Sequence, residues 1–106
     1  MLAPYWYAVS TPAPSRITLL SAKQEGPAGG EVRFGVRVLD ASGLALDLKP
    51  GVDIGPGGGQ LIGVESIAQE VPGAYMIALK LGPEAGPNLF RITAGPAERI
   101  IEIVAK

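Results

Sequence analysis

Apolar and polar residues alternate with a period of two in several short stretches, and no 3.6-residue period persists long enough to build a helix. The clearest alternation sets Val32, Phe34, Val36 and Val38 against Glu31, Arg33, Gly35 and Arg37. A one-residue slip would bury two arginines, so this strand has one register, with Phe34 at the centre of its core face. A second alternation sets Tyr75, Ile77, Leu79 and Leu81 against Ala74, Met76, Ala78 and Lys80. The loop Gly82-Pro83-Glu84-Ala85-Gly86-Pro87 cannot continue a ladder, because its prolines lack donors and its glycines favour turns. Residues 88–94 are again rich in strand formers, which predicts a hairpin over 73–95 with the second strand returning alongside 74–81.

The other elements follow from breaks between short alternating runs. Arg16–Ala22 reads as a strand near a sheet edge, with Ile17, Leu19 and Ser21 on one side and Thr18 and Leu20 on the other. Residues 24–30 are a turn by composition. In Asp40-Ala41-Ser42-Gly43 the Asp40 carboxylate can accept from backbone donors ahead of it, and Gly43 tolerates positive φ. Short strands are expected at Leu44–Leu48 and Val52–Ile54, separated by Pro50-Gly51. Residues 60–71 form one irregular strand or two, Gln60–Val64 and Ser66–Val71. Gly95-Pro96 turns the chain into a last strand, Arg99–Ala105, with Ile101 and Ile103 inward and Ile100, Glu102 and Val104 outward. Turn signals at this spacing predict an all-β fold, an immunoglobulin-like antiparallel β-sandwich of about seven strands.

Residues 1–15 stand apart as an aromatic arm and a Pro-rich linker ahead of a sandwich domain at 16–106. The arm concentrates Tyr5, Trp6 and Tyr7, half of the six aromatics, before Pro12 and Pro14. Those rings are the candidate interaction residues. They are expected to lie against an apolar surface, that of the domain itself, of a neighbouring domain or of a second copy in a homodimer.

Charge and composition narrow the chemistry. Nine basic and ten acidic residues are spread along the chain, with no block of one sign to hold a phosphate backbone or an anionic membrane surface, so nucleic acid and membrane insertion are not expected as partners. The chain has no cysteine and no histidine. That removes disulfides, thiolate and imidazole catalysis, and the nitrogen and sulfur ligands of zinc or copper. Candidate carboxylates for acid/base work are Asp40, Asp47, Asp53, Glu65 and Glu70, and calcium could use Asp40, Asp47 or Asp53; a solvated strand face or a turn cap accounts for each more simply. Gly55-Pro56-Gly57-Gly58-Gly59 could present backbone donors to an anion, yet it lacks the lysine and hydroxyl of a phosphate loop and no helix follows. No catalytic, cofactor or metal residue is therefore assigned.

FGVRVLDASGLAL (34–46) and AYMIALKLGPEAGPNLFRITAG (74–95) resemble the bacterial immunoglobulin-like domains of the invasin/intimin type, the first through a strand–D-x-x-G–strand motif that contains Asp40 and Gly43. The resemblance covers roughly residues 16–105. GAYMI (73–77) is similar to the immunoglobulin G-x-Y-x-C pattern with Ile77 in place of the cysteine, which implies a tyrosine corner at Tyr75 with its hydroxyl bonded to backbone a few residues upstream. The family implies a non-catalytic spacer or adhesion module of a larger surface or secreted protein, partnered by protein or by neighbouring domains, with any leader peptide outside these residues. A carbohydrate- or ligand-binding module using Tyr5, Trp6 and Tyr7 is the alternative. Without a dense ligand set, the melting temperature is expected to be the same with and without a chelator, and a drop of several degrees on chelation would reveal a calcium site.

Overall fold

A computed structural model describes residues 14–21 and 25–106. The strands are β1 (Arg16–Ser21), β2 (Glu25–Gly26), β3 (Glu31–Leu39), β4 (Ala45–Leu46), β5 (Gly51–Ile54), β6 (Gln60–Ser66), β7 (Ala74–Lys80), β8 (Gly86–Ala94) and β9 (Ala97–Ala105). One sheet runs β1-β3-β7-β6, with β4 also paired to β3; the other runs β2-β9-β8-β5. All pairings are antiparallel except β2 with β9. This strand order is that of the immunoglobulin sandwich, with β7 and β8 in the places of its fifth and sixth strands.

The expected hairpin between 74–81 and 88–94 does not form. β7 pairs with β3 along one edge and β6 along the other, so neither edge is open to the strand that follows. The chain leaving Lys80 therefore crosses to the second sheet, where β8 pairs with β9 and β5. The hairpin of this region is β8–β9 instead, closed by the two-residue loop Gly95-Pro96 between the paired Ala94 and Ala97.

Other boundaries shift too. Glu25–Gly26, inside the expected turn at 24–30, forms β2 alongside Val104 and Ala105, and Gly86 and Pro87, expected in the loop, begin β8 opposite Ala105 and Val104. Two further shifts have local reasons. The expected strand at Ser66–Val71 is a turn, because the Ile67 carbonyl accepts from the backbone N–H of both Glu70 and Val71. The strand expected at Leu44–Leu48 shrinks to Ala45–Leu46, since Val38 and Leu39 alone extend past the end of β7 to pair with it.

The alternation in β3 holds as read. Val32, Phe34, Val36 and Val38 are buried and pair across to Leu79, Ile77 and Tyr75 of β7 and to Leu46 of β4. The inward residues Phe90 and Ile92 of β8 and Ile103 of β9 close the core from the other sheet. Arg33 lies on the outer face and pairs with Glu31. Phe34→Ala should destabilise the domain by about 3–5 kcal/mol, through lost burial and the cavity left behind. Arg33→Ala should leave the denaturation midpoint nearly unchanged; similar losses at both positions would contradict the register.

Candidate functional site

The polar side chains that the fold positions most tightly stand where the chain turns or changes sheets. Between β4 on the first sheet and β5 on the second, residues 47–50 make one such crossing, and Pro50 is buried within it. The Tyr75 ring lies in the core, and its hydroxyl donates to Asp47 Oδ1 at 2.7 Å. The tyrosine corner implied by the resemblance is therefore replaced by a side-chain bond that spans 28 positions and ties β7 to the crossing. The reason is topological: β7 is the fifth strand of the sandwich, and a corner tyrosine belongs on the sixth. The bond to Asp47, with burial added, raises the Tyr75 pKa above its usual value.

The crossing from β7 to β8 is held by Asn88, a fully buried polar residue. Its Oδ1 accepts from Gly82 N–H at 3.0 Å, and its Nδ2 donates to the Gly86 carbonyl at 3.2 Å. The glycine loop at 55–59 folds over this crossing. A Cβ on Gly57, whose φ is +122°, would lie 2.7 Å from Asn88 Cα, so only glycine fits. Close backbone packing thus explains these glycines without an anion. Asn88 and Asp47 were not singled out as bonding partners from the sequence. The signal for Asn88 was present, because position 88 falls in the inward phase of Phe90 and Ile92, and a buried amide needs partners.

Asp40 caps the turn after β3. Its Oδ1 accepts from Ser42 N–H at 2.9 Å, Ser42 Oγ at 2.7 Å and Leu44 N–H at 2.9 Å. Gly43 has φ +89°, as the turn demands. The Ser42 hydroxyl, followed by the Leu44 amide, holds the Asp40 carboxyl below its usual pKa.

The remaining carboxylates stand apart from one another. Asp53 pairs with Arg91 at 2.8 Å on the outer face of the second sheet. Glu65 lies on the exposed edge strand β6, and Glu70 lies in the turn before β7. Among the described residues no three acidic side chains gather as metal ligands would. The candidate aromatics Tyr5, Trp6 and Tyr7 lie outside the described residues. Among the described residues, no helix is long and apolar enough to cross a membrane.

Two ends of the molecule are defined by this packing. Pro14 sits against Gly95 at the β8–β9 turn, and Ser15 N–H bonds to the Leu39 carbonyl at the same end. The C-terminal residue is bonded at the opposite end, with Lys106 N–H donating to the Gly26 carbonyl at 2.8 Å and Lys106 Nζ paired to Glu25 at 2.6 Å.

Tyr75→Phe should cost about 1 kcal/mol, one net hydrogen bond, and Asp47→Ala added to Tyr75→Phe should cost almost nothing more. Additive losses in this double-mutant cycle would contradict the pairing. For Asp40, a folded pKa below the unfolded one means that ionisation stabilises the fold above the ordinary carboxylate value of about 4, and that this is lost as pH falls through the folded pKa. Asp40→Ala should lower the urea midpoint at neutral pH, and the gap from wild type should narrow steadily in acid; a pH-independent gap would contradict the turn's reliance on the carboxylate.

No family model matches the chain, and neither does any curated protein. Solved structures do. Domains 4 and 5 of the S-layer protein SbsC superpose with a TM-score of 0.69 at 18% identity, over 90% of this chain and 53% of that one. The C-terminal domain of ZirS gives a TM-score of 0.70 at 14% identity, over 92% of this chain and 71% of that one. A β-glycosidase from Bacteroides vulgatus gives 0.68 at 18% identity, over 91% of this chain and 15% of that one. The chain spans about half of the SbsC fragment. At these identities the likeness is one of fold: an immunoglobulin-like β-sandwich that occurs as one part of longer proteins.

Proposed function

We propose that the chain is a non-catalytic spacer or adhesion-type module, an immunoglobulin-like domain of a larger surface or secreted protein of the invasin/intimin kind. The observation that carries this reading is the placement of the chain's entry and exit. Pro14 enters beside Gly95, and Lys106 leaves beside Gly26 at the far end of β9. The nine residues of β9 separate the two ends by roughly 27 Å, at about 3.4 Å per residue. Neighbours joined at the two ends are thus held apart, and the Pro-rich sequence at 10–15 is of a composition that favours a stiff lead-in. The crossings between its sheets are tied by Tyr75–Asp47 and Asn88, which suits a module of fixed length.

Two further facts fit. Three of the candidate carboxylates bond within the fold, Asp40 in a turn, Asp47 to Tyr75 and Asp53 to Arg91. The same fold recurs in domains of a surface-layer protein, which accords with a place at a cell surface. The partners expected are neighbouring domains of the same chain or another protein.

Three copies joined in sequence should show, in small-angle X-ray scattering, a maximum dimension that rises by roughly 30 Å per copy. A compact cluster whose dimension grows far more slowly would contradict the spacer reading. So would hydrolysis or retention of sugars by the single domain.

A further inference from the structure

The sheet edges are guarded unequally. β1 is tied to the other sheet by the Arg99 side chain, which donates to the Ile17 carbonyl at 3.2 Å. β2 and β4 are two residues each, and β5 is a short strand between Pro50 and Pro56 with Asp53 in an ion pair. Shortness, prolines and charges of this kind keep natural edges from pairing with other chains. β6 ends the first sheet, with β7 on one side and no strand on the other among the described residues. It is seven residues long, without proline, lysine or arginine, and Glu65 is its single charge. Its bulge, between Leu61 and Gly63, kinks the first part of the strand and leaves Gly63–Ser66 in regular register with β7.

The flank that β6 borders is apolar. Leu61 and Val64 stand opposite the buried Leu79 and Ile77, so both belong to the inner face of the sheet. Leu61 is nevertheless 41% exposed, and Ile62, the extra residue at the bulge, is 52% exposed. β5 borders the same flank on the second sheet, and its Ile54, opposite the buried Phe90, is 43% exposed. A strand added beside β6 would meet the edge's unpaired N–H and C=O groups and cover these side chains. We propose that the outer edge of β6 is the docking surface for β6 of a second copy of this chain, in an antiparallel pairing centred on Val64.

The sequence of the strand is self-complementary in this one register. Centred on Val64, a two-fold pairing sets valine against valine, Ile62 against Ser66, and Glu65 against Gly63, where a side chain would meet open space. Centring on Glu65 would bring two carboxylates face to face, and centring on Gly63 would set the inward Leu61 against Glu65. Centring between two residues would place inward side chains against outward ones. The net charge of −1 puts little repulsion between copies. A pairing over so few residues buries less than the roughly 1,200 Å² of a stable interface, so it is a weak contact that forms where copies are crowded. It also leaves the ends clear: Pro14 leads into β1 and Lys106 is bonded beside β2, the strands furthest across the two sheets from β6 and β5. The pairing goes beyond the spacer reading and does not depend on it.

Sedimentation equilibrium of the intact chain should show an average mass that rises from monomer at about 10 µM towards dimer at about 1 mM, as a weak interface demands. Ile62→Lys puts a charge on the exposed edge and should hold the chain monomeric throughout, with circular dichroism and the urea midpoint unchanged. Ile100→Lys, an exposed change on the second sheet, should associate as wild type does. The register is read separately, because the chain has no cysteine of its own. Val64→Cys should form a disulfide-linked dimer on mild oxidation, since residues directly opposite on paired strands lie about 4.5–5.5 Å apart at Cα. Gly63→Cys, which would face Glu65 of the other copy, should cross-link several-fold more slowly. A monomer at every concentration would overturn the pairing, as would a dimer indifferent to Ile62→Lys or weakened equally by Ile100→Lys. Cross-linking as fast at Gly63→Cys as at Val64→Cys would overturn its register. None of these results bears on the spacer reading, which is judged by the length of joined copies.

Discussion

The saturation of β7 on both edges is the constraint on which the rest of the sandwich depends. With β3 on one side and β6 on the other, β7 leaves no ladder for the strand that follows it. The chain leaves the sheet after Lys80, and the strands that come next are paired elsewhere. β8 and β9 therefore pair with each other and form the centre of the second sheet. Their inward residues, Phe90, Ile92 and Ile103, then bury the apolar face that β3 and β7 present. At roughly 25 cal/mol per Å² of apolar surface, the burial shared between the two sheets is the main favourable contribution to stability.

A chain that changes sheets leaves its ladder, and polar side chains hold it where it does so. Asn88 bonds both ends of the β7–β8 crossing, and the Tyr75 hydroxyl holds Asp47 in the β4–β5 crossing. Asp40 does the same for the turn that follows β3. Each of these polar groups has a bonding partner within the fold. With the ends of the domain bonded to opposite ends of the sandwich, these ties accord with the proposed role of a module that holds its neighbours apart.

The half-buried strands were legible because their two faces differ. In β3 a slip would bury Arg33 and Arg37, and in β9 the inward Ile103 alternates with the outward Glu102. Pairing was less legible, because alternation states which face of a strand is buried and not which strand lies beside it. The loop after β7, rich in glycine and proline, serves a hairpin or a crossing equally well, and the choice was made by β6, whose strand occupies the second edge of β7. Long-range polar bonds were the least legible. Asp47 and Tyr75 are 28 positions apart, and the loop glycines answer to Asn88, which local composition does not reveal. The G-x-Y motif marked a tyrosine that does bond at a crossing, but on the neighbouring strand of the topology.

The central claim, that β7 is enclosed within one sheet and the chain crosses to the other after it, is tested most directly by interstrand nuclear Overhauser contacts. Backbone contacts should join Met76 to Gly35 on one side and to Glu65 on the other, and Arg91 to both Ile100 and Asp53. None should join residues 74–80 to 88–94 as ladder neighbours. A series of paired contacts running between those two segments would restore the hairpin and contradict the account.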